Sequence, residues 1–184
     1  MFNDDFLVFQ AKSFYNAHIA LDQINRQSDD LMYYIPTIVS GAFSCELTLK
    51  AILSKNNIKY ENGHNLLMLF ELLPGFIKSE IWERLIQKAP EYNETGKFLD
   101  ELILISNAFT EWRYAFEGNP VPAFDLRFLS AFANATAWTM LSHYNVSLER
   151  SDIGEINDEE IEKKIKDNRE KCKESNIKKL QKRK

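Results

Sequence analysis

The punctuation of this chain leaves room for little but helices. Of its six glycines, Gly63, Gly75, Gly96, Gly118 and Gly154 fall at breaks between apolar stretches, and only Gly41 sits inside one. Four of the five prolines also fall at breaks. Between the breaks, apolar residues recur every three or four positions, the spacing of a helix with one buried face, and no convincing strand alternation interrupts them. The prediction is an all-α, up-and-down bundle of about five main helices, with antiparallel neighbours on short connections. Apolar residues make up 45% of the 184 positions and Phe alone accounts for 13, ample for one core.

The first helix is predicted from about Asp5 to Arg26, with Phe6, Phe9, Ser13, Ala17, Ala20 and Ile24 on its buried face. Ser28-Asp29-Asp30 offers an N-cap and an acidic first turn to a long second segment that ends near Lys55. Pro36 either kinks that segment or marks its true start. Gly41, between Ser40 and Ala42, implies close approach of another helix. A short helix begins near Asn65 and stops by Pro74, and a second runs from Ser79 to Pro90. The fourth main segment spans Lys97 to Glu117 and closes at Gly118, a natural C′ residue. The fifth runs from about Phe124 to Tyr144.

Charge divides the chain. Residues 1–154 carry a net −7, whereas 155–184 carry +3, acidic at the start and basic at the end. The predicted division is a bundle over 1–148 and a charged tail over 149–184, helical at least in part. That order of charge complements a helix dipole. Ile161, Ile165 and Cys172 give the tail only a thin apolar stripe. An acidic body excludes a general polyanion binder, though the basic extreme of the tail can touch one.

No apolar run reaches the roughly 18 uncharged residues of a membrane span. The opening "MFNDDFLVFQ" has acids where a secretory signal carries lysines, so a cytoplasmic protein without a membrane partner is expected. Cys45 is expected to be a small buried helix residue and Cys172 an exposed one among lysines, with no disulfide between them. The glycine pattern leaves no phosphate-cradling loop, there is no HExxH or Cys/His cluster, and no serine has a nucleophile-elbow setting. Neither a metal nor a cofactor is expected.

What remains is a set of charges on apolar stripes. In "EWRYAFEG", Glu111–Gly118, Arg113 follows Leu102, Ser106 and Phe109 at helical spacing, and Phe116 comes next. In the second segment Glu46 interrupts Val39, Ala42, Leu49 and Leu53. Unpaired buried charges cost several kcal/mol, so a Glu46–Arg113 pair is predicted, the guanidinium fork suiting the carboxylate. Glu117, four residues after Arg113, is a second candidate partner, and Lys50, four after Glu46, completes the network. The first reading of this group is a structural ion pair locking two helices. The other is a polar pocket of Glu46, Lys50, His64 and Arg113, with Arg113 and Glu117 as the catalytic candidates. His64 is expected to cap the third segment through the Gly63 turn, or else to line that pocket. His18 and His143 are assigned to packing.

"GAFSCELTLKAILSKN" followed by "NGHNLLMLFELLP", with "YYIP" upstream, resembles the HEPN superfamily of helical domains over roughly residues 5–145. Such proteins carry an ELxLKxxL helix (here Glu46 to Leu53) before a GHxLxxL segment (here Gly63 to Leu69). The resemblance implies a helical bundle, often dimeric. Many members are metal-independent ribonucleases of toxin–antitoxin or antiviral systems, built around an Arg and a His separated by four to six residues. Arg binds phosphate, and His moves protons at the 2′-oxygen. Arg113 matches the arginine, but the histidine positions hold Gly118, Asn119 and Pro120, and the next histidine is His143. The expectation is a non-catalytic HEPN-like module for RNA, a nucleotide or a protein partner, working as a homodimer. The alternative is a divergent ribonuclease using Arg113 with Glu117 or with a histidine from elsewhere.

Overall fold

The structure is a computed structural model that describes residues 4–27, 31–61, 63–114, 117 and 123–146. Among these, seven α-helices follow one another with no strand: α1 Asp4–Gln27, α2 Tyr34–Lys55, α3 Leu66–Glu71, α4 Gly75–Lys88, α5 Thr95–Ile105, α6 Ala108–Arg113 and α7 Leu126–Tyr144. The fold is an all-α bundle. Short 3-10 turns at Leu31–Tyr33 and Pro90–Tyr92 lead into α2 and out of α4. The predicted tail, Cys172, the Ser28–Asp30 cap, Phe116 and the Gly118 stop lie outside the described residues.

α2 is the central element, packed by α1, α3, α6 and α7, while α4 lies on α7. Its length and composition are those of a membrane-crossing helix, and burial inside the bundle accounts for them. Pro36 falls in its first turn, where the missing N–H costs no bond. At its other end Ile58 N–H bonds to Leu53 O and Asn57 N–H to Ser54 O, with Asn57 at φ 55°, a left-handed stop that turns the chain back. Beyond α2, the core is aromatic. Phe128 and Phe132 lie parallel on α7, and Phe70, Tyr92 and Phe98 meet them edge-on or tilted.

Two expectations fail. α1 buries Val8, Ala11, Tyr15, His18 and Asp22, not the face predicted for it. Phe6 is 56% exposed and Phe9 63%, with Ser13, Ala17, Ala20 and Ile24 also facing out. Polar groups win because each finds a partner. His18 bonds the Thr37 carbonyl and Ser130, Asn134 donates to Tyr15, and Asp22 pairs with Arg26. Gly41 does mark a close helix approach, and α1 is the neighbour: a Cβ there would stand 2.7 Å from His18 Nδ1.

The second failure is the single helix expected over Lys97–Glu117. It breaks at Ser106 and Asn107 into α5 and α6. Ser106 Oγ donates back to Leu102 O at 2.6 Å, and the Ser106 carbonyl accepts the Leu66 N–H at 2.9 Å instead of continuing its own helix. Ser106 Oγ also accepts Leu67 N–H, so the break supplies the N-terminus of α3 with partners it would otherwise lack.

Candidate functional site

Glu46 lies in the middle of α2, only 1% exposed and beside fully buried Cys45 and Leu49. The predicted partner Arg113 does not reach it. Lys50 Nζ donates to one carboxylate oxygen at 2.7 Å and His64 Nδ1 to the other at 2.9 Å. Lys50 sits one turn on, in the favourable Glu-before-Lys order, so the charge is met without crossing helices. His64 arrives from the segment that the Asn57 turn sends back along α2.

His64 does not cap α3. Asn65 does, its side chain accepting Met68 N–H at 2.9 Å and donating to Asn107 at 3.1 Å. This anchors the neighbour of His64 and sets the imidazole over Glu46. Because a carboxylate only accepts, Nδ1 carries the proton. Nε2 makes no hydrogen bond among the described residues.

Arg113 is exposed, which corrects its assignment to the core stripe. Leu102, Ser106 and Phe109 are buried as predicted, but the break at Ser106–Asn107 changes the helical phase before Arg113. Its guanidinium carbon lies 4.6 Å from the Phe109 ring centre and 4.5 Å from that of Tyr114, and it donates to Tyr114 Oη at 2.9 Å. It makes no ion pair among the described residues, with Glu117 or otherwise. Glu117 is exposed, its N–H bonded to the Tyr114 carbonyl.

Phe109 joins the two halves. It stacks on Phe43 at 4.4 Å, the His64 ring stands 5.3 Å away, and Arg113 covers it. Of the pairings expected from the sequence, Lys50 with Glu46 is made, His64 joins them, and Arg113 with Glu46 is not. The sequence did not mark Phe109 as the hub. An aromatic on an apolar stripe gives no signal beyond packing.

Tyr60 extends the cluster, its ring 5.9 Å from Lys50 Nζ. Burial pushes its hydroxyl pKa up, with the Asp4 and Glu46 carboxylates adding to the effect. Next to it lies a largely apolar cavity of about 560 Å³, lined by Tyr60, Met68 and Leu72 and by both chain neighbours of His64. No group of three or more His, Cys, Asp or Glu among the described residues is placed to hold a metal ion.

Comparison with family models, curated proteins and solved structures found no match.

Proposed function

We propose that this chain is an HEPN-like binding module whose ligand is RNA or a nucleotide, taken where Arg113 and His64 flank Phe109. The observation that carries the reading is Arg113 itself. A guanidinium that is exposed, held in orientation by Tyr114 and committed to no carboxylate among the described residues is available to a phosphate. Tyr114, 43% exposed, supplies a ring beside it for base stacking, while buried Phe109 backs the guanidinium. The net −7 of residues 1–154 restricts such binding to a few local phosphate contacts, so the favoured ligand is short and single-stranded.

A second reading, metal-independent cleavage, is favoured by the Glu46–His64 bond. It orients an imidazole whose Nε2 has no partner among the described residues, the group needed to take a proton from a 2′-hydroxyl. His64 then stands in for the histidine missing from positions 118–120. Anisotropy with a short labelled RNA in a chelating buffer, run beside a gel assay on total RNA, tests both. Arg113→Ala is expected to lose binding. If cleavage is seen, His64→Ala is expected to abolish it while binding persists. Unchanged binding by Arg113→Ala refutes the site.

The chain is further proposed to act as a homodimer paired along α1. The outward stripe of Phe9, Ala17, Ala20 and Ile24 supports a helix face meant for a second surface.

A further inference from the structure

α1 and α7 bring together a serine and a histidine that sequence spacing gave no reason to connect. His18 is fully buried, its Nδ1 2.9 Å from the Thr37 carbonyl and its Nε2 3.2 Å from Ser130 Oγ. A carbonyl only accepts, so Nδ1 carries the proton, and the Ser130 hydroxyl donates to the lone pair on Nε2. That is its only hydrogen bond among the described residues. The ring is held from a third side as well, since Gly41 gives it the space a Cβ would fill.

Ser130 opens onto a cleft of about 350 Å³, the size of a small-ligand site. Arg26, Lys88 and Arg127 line it, against one acid, Glu91. Asp22 holds Arg26, and Glu91 and Asp125 hold Arg127, which leaves Lys88 as the cation without an ion pair among the described residues. Asn134, one turn beyond Ser130, spends one amide N–H on Tyr15 and has a second to give. None of these residues belongs to the Glu46–His64 cluster.

We propose that Ser130 is a nucleophile with His18 as its general base, and that the cleft takes a small ester bearing an anionic group. Nucleophile, base and orienting acceptor are in hydrogen-bond series, the arrangement that activates a hydroxyl. Ser130 Oγ adds to the ester carbonyl carbon as its proton passes to His18 Nε2, and Thr37 O holds the imidazolium through Nδ1. Collapse breaks the bond to the leaving oxygen, which takes the proton from Nε2 and departs as the alcohol. Water, deprotonated by the same nitrogen, then adds to the acyl-serine, freeing the acid and restoring Ser130. The anionic group of the ester lies against Lys88. Burial lowers the His18 pKa, so the imidazole is neutral near pH 7 and free to accept the proton.

The test uses the full chain. A fluorophosphonate probe, from which Ser130 displaces fluoride, is expected to add once to the wild type at Ser130 and not to Ser130→Ala. p-Nitrophenyl succinate is expected to be hydrolysed faster than p-nitrophenyl acetate, and Ser130→Ala to fall to the uncatalysed background with both. Lys88→Ala is expected to lose the preference for succinate over acetate. A wild type that takes no probe, or an adduct that survives Ser130→Ala, overturns the nucleophile. A succinate preference unchanged in Lys88→Ala overturns the anionic substrate class.

Discussion

Glu46 and His64 are joined by a 2.9 Å hydrogen bond in which a buried carboxylate fixes the protonated nitrogen of a half-exposed imidazole. The second carboxylate oxygen belongs to Lys50, so the two partners divide the work unequally. Lys50 is 14% exposed and His64 48%. Glu46→Ala strands a largely buried ammonium and should cost about 3 kcal/mol, the low end for breaking a buried pair. His64→Ala removes a partner that water can replace and should cost under about 1 kcal/mol. Urea denaturation of the two variants checks the ranking, and equal losses would show that His64 is structural.

Arg113→Ala should leave the fold nearly intact. What it removes is cation–π contact with Phe109 and Tyr114, about 0.5–1 kcal/mol apiece at an exposed site, and one exposed hydrogen bond to Tyr114. The same variant should lose RNA affinity. Chemical denaturation beside anisotropy reads both, and a loss of several kcal/mol would restore the structural role that the sequence suggested.

Gly41→Ala sets two effects against each other. Alanine improves helix propensity by roughly 1 kcal/mol. Its Cβ, however, would meet His18 Nδ1 at 2.7 Å and Cε1 at 2.8 Å, so a packed ring must move. Overpacking of this kind costs about 1–3 kcal/mol and should win. Thermal melts should show a net loss for Gly41→Ala that is partly recovered when His18→Ala is added. A Gly41→Ala protein as stable as the wild type would mean that α1 and α2 are not locked through this ring.

The pH dependence follows from the same histidine. Burial lowers the His18 pKa below its ordinary 6.5, with Thr37 O and Asp22 opposing the shift and Arg26 adding to it. The unfolded chain then binds the proton more readily. The contribution to stability is complete above about pH 6.5 and falls away as pH drops toward the folded value. Melting temperatures between about pH 7.5 and pH 5 should decline in the wild type and decline less in His18→Gln. Parallel curves would remove His18 as the cause.

What the sequence could reveal divides along physical lines. Helical period and the placement of Gly and Pro depend on local geometry, and they gave the all-α bundle. Gly41 was legible because a lone glycine inside a helix has few other uses. The buried face of α1 was not, because Phe6, Phe9 and Ile24 and the Val8, Ala11 and Tyr15 set both satisfy helical spacing. The choice is made by long-range hydrogen bonds to Thr37, Ser130 and Asn134. Glu46 was legible as a charge needing partners. Which partners was not, since the phase at Arg113 depends on a helix break stabilised by Leu66, 40 residues upstream of Ser106 in the chain. Asn65 rather than His64 took the cap for a local reason, a side-chain oxygen that accepts the Met68 N–H.

The exposed stripe of α1 carries the last prediction. Phe9 at 63% exposure and Ile24 at 42% stand on one face, with Ala17 and Ala20 between them allowing close approach of a second helix. Burying a Phe side chain at an interface is worth about 2–3 kcal/mol, and each C2 contact is made twice. Two copies paired along α1 should therefore sediment as a dimer at micromolar concentration, and Phe9→Asp should sediment as a monomer with its helical circular dichroism unchanged. Phe9 makes few demands on the bundle itself, so loss of fold is not expected to confuse the result. A wild type that sediments as a single chain at this concentration would leave the stripe to some other partner and refute the dimer.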